Sequence, residues 1–341
     1  MPRHYCTLFD ANYLVRALAL YESLRSVDPT MSLHAFCMDE QAADLLRRLR
    51  LAGMEVIPIA QLERDDPQLA AVKEGRTRVE YYWTATPSIA LWCLEHVSEA
   101  DSITYLDADL YFFSSPQPLY DELGEGSVLI VPHNYAPEHA HLEPASGVYN
   151  VELLVFRSDL EGLRVLRWWR DRCLEWCFNR VEDGKLGDQK YLERFHELSP
   201  AVVATRNKGA GLAPWNVSRY HLDRAGDTLL VDGEPLIFYH FQSLELLDGG
   251  GPLLRRLRHT VGSAPGATFT WATDYPVGKR EQDLIWTPYL DALEGEYARV
   301  VDVDPDFPAG LVPLRALAAA AVRARLGAVY RSVRQRAARA A

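Results

Sequence analysis

Ile103-Thr104-Tyr105-Leu106-Asp107-Ala108-Asp109-Leu110-Tyr111-Phe112-Phe113 is the stretch around which the chain is organised. Strand formers run up to Leu106 and stop at two carboxylates separated by a single alanine. A second apolar run, Leu110 to Phe113, follows at once, and Ser114-Ser115-Pro116 closes the unit. In an extended chain residues i and i+2 share a face, so Asp107 and Asp109 are expected to point the same way. Carboxylates held that close repel each other unless a cation lies between them. Oxygen ligands suit Mg²⁺ or Mn²⁺. The plainer reading is a pair of strand-end carboxylates that face water or cap a nearby helix.

The bulk composition is that of a soluble globular protein, with 48% hydrophobic and 24% charged residues, so a sizeable core is available. No apolar run reaches the roughly 18 residues that a membrane-spanning helix needs. Met1-Pro2-Arg3-His4 leads straight into a strand-like run without the apolar core of a signal peptide. Cys6, Cys37, Cys93, Cys173 and Cys177 are odd in number and lack C-x-x-C spacing, which fits reduced thiols in a cytoplasmic protein. The net charge of -11 conceals an asymmetry: seven arginines and no acidic residue lie from Leu311 onward, leaving -18 on residues 1–310. A body so acidic is a poor nucleic-acid binder and must recruit cations locally to hold a phosphate.

His4 to Phe9, Leu33 to Met38 and Met54 to Ile59 read as strands. Between them, Leu14, Leu18, Tyr21 and Leu24 mark one helix, and Glu40 to Ala52 another with Gly53 as its C-cap. This β-α-β-α-β order predicts an α/β fold with a parallel sheet and crossover helices, and ligands bind such sheets beyond the carboxyl ends of the strands. Asp10, Asn12 and Tyr13 stand at the first of those ends. Further on, Arg76 to Glu95 reads as a helix interrupted at Pro87, and Leu160 to Asn179 as another. Gly126 to Pro132, Gly147 to Arg157 and Val202 to Thr205 read as strands. Thr228 to Val231 and Leu236 to Phe241 are expected to form a hairpin about Asp232-Gly233-Glu234.

Several residues could carry chemistry. His240 ends an apolar run, where an imidazole can join carboxylates on a divalent metal or simply be satisfied by backbone bonds. Asp188, with Gln189 beside it, enters a short helix and could cap it or hold the hydroxyls of a polyol. Pro214-Trp215-Asn216 sets a flat ring beside an amide, suited to a sugar or base, or to plugging the core. Arg78, Lys185, Lys190 and Lys208 are candidate partners for a diphosphate.

Taken together, these pieces resemble the GT-A nucleotide-sugar glycosyltransferases, in the retaining branch that includes glycogenin and bacterial lipopolysaccharide galactosyltransferases. Thr7-Leu8-Phe9-Asp10-Ala11-Asn12-Tyr13 is similar to the family's first strand and nucleoside-binding turn, and Tyr105-Leu106-Asp107-Ala108-Asp109 to its metal-binding D-x-D. Gly147-Val148-Tyr149-Asn150-Val151-Glu152 resembles its F-N-[SA]-G segment, Gly187-Asp188-Gln189 its D-Q pair, Pro214-Trp215-Asn216 its W-N element, and His240 its late metal histidine. Two departures stand out: Glu152 replaces a glycine, and Phe241-Gln242-Ser243 lacks the glycine and lysine that usually follow the histidine.

The resemblance implies a GT-A fold, with a mixed, mainly parallel central sheet flanked by helices, over residues 1–310. It implies a metal-dependent hexosyl transfer, of the retaining kind, from a nucleoside diphosphate sugar such as a UDP-sugar to a glycan, lipid-linked or protein acceptor. Asp107, Asp109 and His240 would hold Mn²⁺ or Mg²⁺. Thr7, Asp10, Asn12, Tyr13, Arg78, Asp107, Ala108, Asn150, Trp215 and Asn216 would line the donor site, with Asp188 and Gln189 at the reacting sugar. The alternative is a GT-A-like domain that binds a nucleotide sugar or a partner without transfer.

Residues 311–341 read as a basic helical extension, with Ala318, Val322, Leu326, Val329 and Val333 on one stripe and arginines opposite. Such a helix can lie on an anionic membrane at the inner face or pack on the body or a partner. Each basic residue near the surface contributes about 1 kcal/mol, while the alanine-rich stripe adds little insertion. Deleting residues 312–341 should therefore leave donor hydrolysis intact and abolish at most a salt-sensitive association with anionic vesicles. Sedimentation with vesicles at low and high salt checks this, and no binding by the full chain at low salt would remove the membrane contact.

Overall fold

A computed structural model describes residues 2–248, 260–262, 269–307 and 310–313. They divide into two compact units, residues 1–242 with 279–309, and residues 243–278 with the chain from 310 onward. The larger unit is built on a seven-stranded sheet. Its strands are β1 (His4–Phe9), β2 (Ser32–Cys37), β3 (Met54–Pro58), β4 (Ser102–Leu106), β6 (Val128–Pro132), β7 (Tyr149–Arg157) and β8 (Val202–Ala204), with β5 (Leu110–Phe112) outside it. The sheet order is β3-β2-β1-β4-β7-β6-β8. All pairs are parallel except those β7 makes with β4 and β6, which are antiparallel. This is the mixed, mainly parallel sheet of the GT-A fold.

Successive residues of the central strands feed opposite faces, which is why whole runs are apolar. Tyr105, Val128, Ile130, Leu154 and Phe156 join a core with Tyr81, Ile89 and Trp92 of the helix Arg78–His96 and Trp169 of the helix Leu160–Glu175. Leu106, Leu129, Val131, Leu153 and Val155 join a second core with Leu20, Tyr21 and Leu24 of the helix Leu14–Val27. Burial of both faces leaves the strand ends as the place where polar side chains can gather.

Three local expectations are corrected. The helix Glu40–Leu49 ends on Arg50, itself left-handed at φ 51°, rather than on Gly53. Gly53 (φ +75°) instead makes the turn into β3, where a Cβ would come 2.8 Å from the Met31 carbonyl oxygen. Pro87 lies inside the helix Arg78–His96 without ending it. Most important, the strand after Leu236 does not pair with Thr228–Val231. That strand, β10, lies between β9 (Leu222–Ala225) and the short β11 (Glu234–Pro235), whereas β12 (Phe238–His240) runs antiparallel to β5.

The smaller unit holds β13 (Glu245–Asp248), β14 (Thr260–Gly262), β15 (Thr270–Thr273) and β16 (Val312–Pro313) in the order β14-β15-β13-β16. The basic helix expected over 314–339 lies outside the described residues. Among the described residues no helix is long and apolar enough to cross a membrane.

The pairing of β5 with β12 is held by side chains as well as by backbone. Phe238 is fully buried, its ring 5.6 Å from that of Phe112. Phe238→Ala should cost about 3–5 kcal/mol, read as a lowered urea midpoint, with Phe238→Leu costing clearly less.

Candidate functional site

The polypeptide leaves β4 at Leu106 and turns sharply. The Asp107 amide donates to the Glu152 carbonyl at 2.8 Å, and the Leu110 amide donates back to the Asp107 carbonyl at 3.3 Å. Asp107-Ala108-Asp109 is therefore a turn rather than the extended segment expected. Pairing of β5 with β12 sets His240 opposite Leu110, and the Phe241 amide donates to the Asp109 carbonyl at 3.0 Å. His240 Nε2 then stands 3.2 Å from Asp109 Oδ1 and 3.8 Å from Asp107 Oδ2. One ligand atom from each of Asp107, Asp109 and His240 lies within 4.8 Å of the others. Two hard carboxylate oxygens and an imidazole nitrogen converging in this way suit a divalent ion of the Mn²⁺ or Mg²⁺ kind.

Each member is held from behind. Tyr105 Oη donates to Asp107 Oδ1 at 2.7 Å. The other ring nitrogen of His240, Nδ1, is 2.7 Å from Glu152 Oε2, and the His240 amide donates to the Leu212 carbonyl at 2.9 Å. Trp215 meets the imidazole edge-on, ring centroids 5.5 Å apart at 86°.

The electrostatics follow from three carboxylates around one imidazole. Burial would make His240 less basic, but Asp109 and Glu152 outweigh it and raise its pKa well above the usual value. Burial likewise pushes Asp109 up, and the charge and hydrogen bond of His240 override it and hold Asp109 low. Asp107, half-buried and farther from the imidazole, is pushed up to about 6 by desolvation, against the pull of His240 and with the repulsion of Asp109.

The remaining expected residues fall into two groups. At the end of β1, the Asp10 carboxylate accepts from the Asn12 amide (3.0 Å), the Asn12 side chain (3.2 Å) and Tyr82 Oη (3.1 Å), and pairs with the exposed Arg78 at 3.4 Å. Tyr13 is 42% exposed and stacks under the Arg16 guanidinium at 4.6 Å. Thr7 is buried within β1, and Ala108 is buried between the two aspartates. Beside the metal-ligand cluster, Asn150 Oδ1 accepts from the Glu152 amide at 3.0 Å, and Gln189 donates to the Ser146 carbonyl at 2.8 Å. Trp215 and Asn216 are buried behind His240. Trp215 donates to the His133 carbonyl at 3.0 Å, and the Asn216 amide bonds His133, Gly211 and Ala213.

The short helix Gln189–Arg194 has no side-chain cap from Asp188. That carboxyl is buried and pushed up to about 8, by desolvation first and by the charge of Asp107 second. Of the candidate lysines, Lys190 pairs with Glu193 at 2.9 Å, Lys208 with Asp232 at 3.3 Å, and Lys185 lies over Trp176 at 5.0 Å.

Three residues at this end of the sheet escaped the reading of the sequence. Glu152 stood out only as the replacement of a glycine, and Tyr82 and Arg16 carried no signal that singled them out. Arg16 is in fact buried, donates to the Asn12 carbonyl at 3.3 Å, and adds to the forces that hold Asp109 ionised.

The fold and the strand-end cluster place the protein in the GT-A class of nucleotide-sugar transferase folds. Its structure is similar to that of the galactosyltransferase LgtC, solved in complex with donor and acceptor sugar analogues. The TM-score is 0.52 at 14% identity, covering 86% of this chain and 95% of that one. In sequence it is 34% identical over 254 residues to YfnF of Bacillus subtilis (strain 168), spanning 72% of this chain and 83% of that protein. YfnD of the same organism is 24% identical over 317 residues, or 92% of this chain and 96% of YfnD. The chain belongs to the family of YfnF. No family model matches it.

The elevated pKa of Asp188 sets a pH dependence. An unfolded chain loses that proton near pH 3.8, whereas the fold keeps it to about 8. The folded state thus binds more protons in this window, and stability falls as pH rises through it. In chelator, Asp188→Asn should remove a slope of at most about 1.4 kcal/mol per pH unit. Urea midpoints of both proteins from pH 4 to 9 measure it, and parallel curves would contradict the assignment.

Proposed function

We propose that this protein is a metal-dependent glycosyltransferase that moves a hexosyl group from a nucleoside diphosphate sugar, a UDP-sugar in the first instance, to a hydroxyl of a glycan, lipid-linked or protein acceptor. The observation that carries the reading is the convergence of Asp107, Asp109 and His240 at the end of β4 in a GT-A fold. The fold shared with a galactosyltransferase solved with donor and acceptor sugar analogues supports it. The five free, buried cysteines support a reducing compartment such as the cytoplasm.

On this reading Asp107, Asp109 and His240 hold Mn²⁺ or Mg²⁺. Bound there, the ion supplies Lewis acidity to offset charge on the departing diphosphate. Asp10, Asn12 and Tyr13 face base and ribose over the floor of Thr7 and Ala108, and Arg78 and Arg16 lend positive charge to that end of β1. Trp215 and Asn216 serve the donor site from behind, by keeping His240 in its plane. Asn150, Asp188 and Gln189 face the sugar. A carboxyl beside an amide offers hydroxyls both donors and acceptors, and Asp188 stands close enough to feel the charge of Asp107. Retention at the anomeric carbon is the outcome that the resemblance suggests.

A panel of nucleotide sugars with Mn²⁺ tests the proposal through release of nucleoside diphosphate, slow with water and faster with an acceptor. Chelation should abolish release. Asp109→Asn should lower it at least about 100-fold, as expected when charge stabilisation of the leaving group is lost. Asp188→Asn should lower it by orders of magnitude while the protein stays folded. Tight binding of a nucleotide sugar without release, whatever acceptor is offered, would favour the non-catalytic alternative.

A further inference from the structure

We propose that Glu152 is a positioning residue for the metal centre: it fixes the tautomer and ring orientation of His240, so that Nε2 presents its lone pair to the cation held by Asp107 and Asp109. The inference rests on the metal reading above and adds to it a residue that no part of the expected motif supplies.

Glu152 lies in β7 between Val151 and Leu153, and no part of it reaches solvent. A carboxylate in such a place costs several kcal/mol unless it is paired. Its Oε2 is paired with His240 Nδ1 at 2.7 Å, while Oε1 is buried without a hydrogen-bond partner. Space for that second oxygen comes from Gly211, where a Cβ would stand 2.9 Å from Oε1. The backbone of Glu152 works on the same centre, since its carbonyl accepts from the Asp107 amide at 2.8 Å. One residue therefore holds the main chain of Asp107 through its own main chain and the imidazole of His240 through its side chain.

The geometry fixes the kind of role. Glu152 meets the Nδ1 edge of the imidazole, and the two aspartates meet the Nε2 edge. Because the two nitrogens face different ways, Glu152 is no further ligand to the same ion and acts through the ring. A carboxylate that accepts a hydrogen bond from Nδ1–H keeps the proton on that nitrogen, leaves Nε2 as the coordinating atom, and raises its donor strength. Trp215, edge-on to the same ring, leaves the imidazole little room to turn.

The test is titration of the chelated full chain with Mn²⁺ by calorimetry. The unaltered protein, Glu152→Gln, His240→Ala and the double variant are compared, each checked for folding by near-ultraviolet circular dichroism. Glu152→Gln should weaken Mn²⁺ binding roughly ten- to a hundred-fold, the usual loss for such outer partners, and should have no further effect once His240 is alanine. Unchanged affinity in the folded variant, or an equal loss without His240, would overturn the role while leaving the metal centre intact. Failure of the unaltered protein to bind Mn²⁺ would overturn both. A second measurement needs no variant: nitrogen-15 NMR of the Mg²⁺-loaded protein should show His240 protonated on Nδ1 alone. A proton on Nε2 there would overturn the proposal even if Glu152→Gln did not fold.

Discussion

Negative charge gathered at the ends of buried strands is the constraint on which the rest of this structure depends. Asp107, Asp109 and Glu152 crowd one imidazole, and carboxylates so placed resist ionising together unless positive charge is supplied among them. The fold meets that demand by bringing the His240 imidazole among them. The β4 end supplies the two aspartates, β7 the glutamate and β12 the histidine, so segments separated by 88 residues between Glu152 and His240 must arrive at one point. Two apolar cores, one on each face of the sheet, hold the strands rigid enough for it.

The loop from Gly209 to Val217 shows how that arrival is enforced. Its Gly209 carbonyl accepts the Ile237 amide at 2.8 Å and its Leu212 carbonyl the His240 amide at 2.9 Å. It therefore guides the strand before and at the histidine. The approach is so close that a Cβ at Gly209 would fall 1.9 Å from the Pro235 carbonyl oxygen, which leaves glycine as the residue that fits. Asn216 closes the loop with three amide bonds, two to backbone carbonyls and one from the Ala213 amide. Gly209, Trp215 and Asn216, which help make the segment an unusual connector, are explained by this bracing.

How far the sequence disclosed these things depends on whether the signal was local. The first three strands, their helices and the paired aspartates are local patterns, and periodicity revealed them to within a few residues. From local pattern alone His240 was an imidazole ending an apolar run, and the family resemblance was what marked it as a metal ligand. Its convergence with Asp109 needed the partner of β12, and the D-G turn before it pointed to the hairpin of β10 instead. That turn does form, but it is used up by the two-residue β11. Glu152 was the hardest, since one charged residue amid Val151, Leu153 and Leu154 carries no sign of what it pairs with. Asp188 was ambiguous for a similar reason: a carboxyl at a helix entrance reads as a cap, and only burial separates the two cases.

The charge distribution gives a last consistency. A body at -18 over residues 1–310 repels an anionic donor at long range, yet screening confines that repulsion to about a Debye length, roughly 8 Å in physiological salt. Inside that distance only near neighbours count. Lys190, Lys208 and Arg78 are paired with Glu193, Asp232 and Asp10, whereas Arg16 lies over the Tyr13 ring at the end of β1 and helps hold Asp109 ionised. Near the aspartates themselves, negative charge prevails. On the proposed reading, a divalent ion would supply the positive charge at the D-x-D turn, and Arg16 would add to it where a nucleoside diphosphate sugar crosses from β1 to β4.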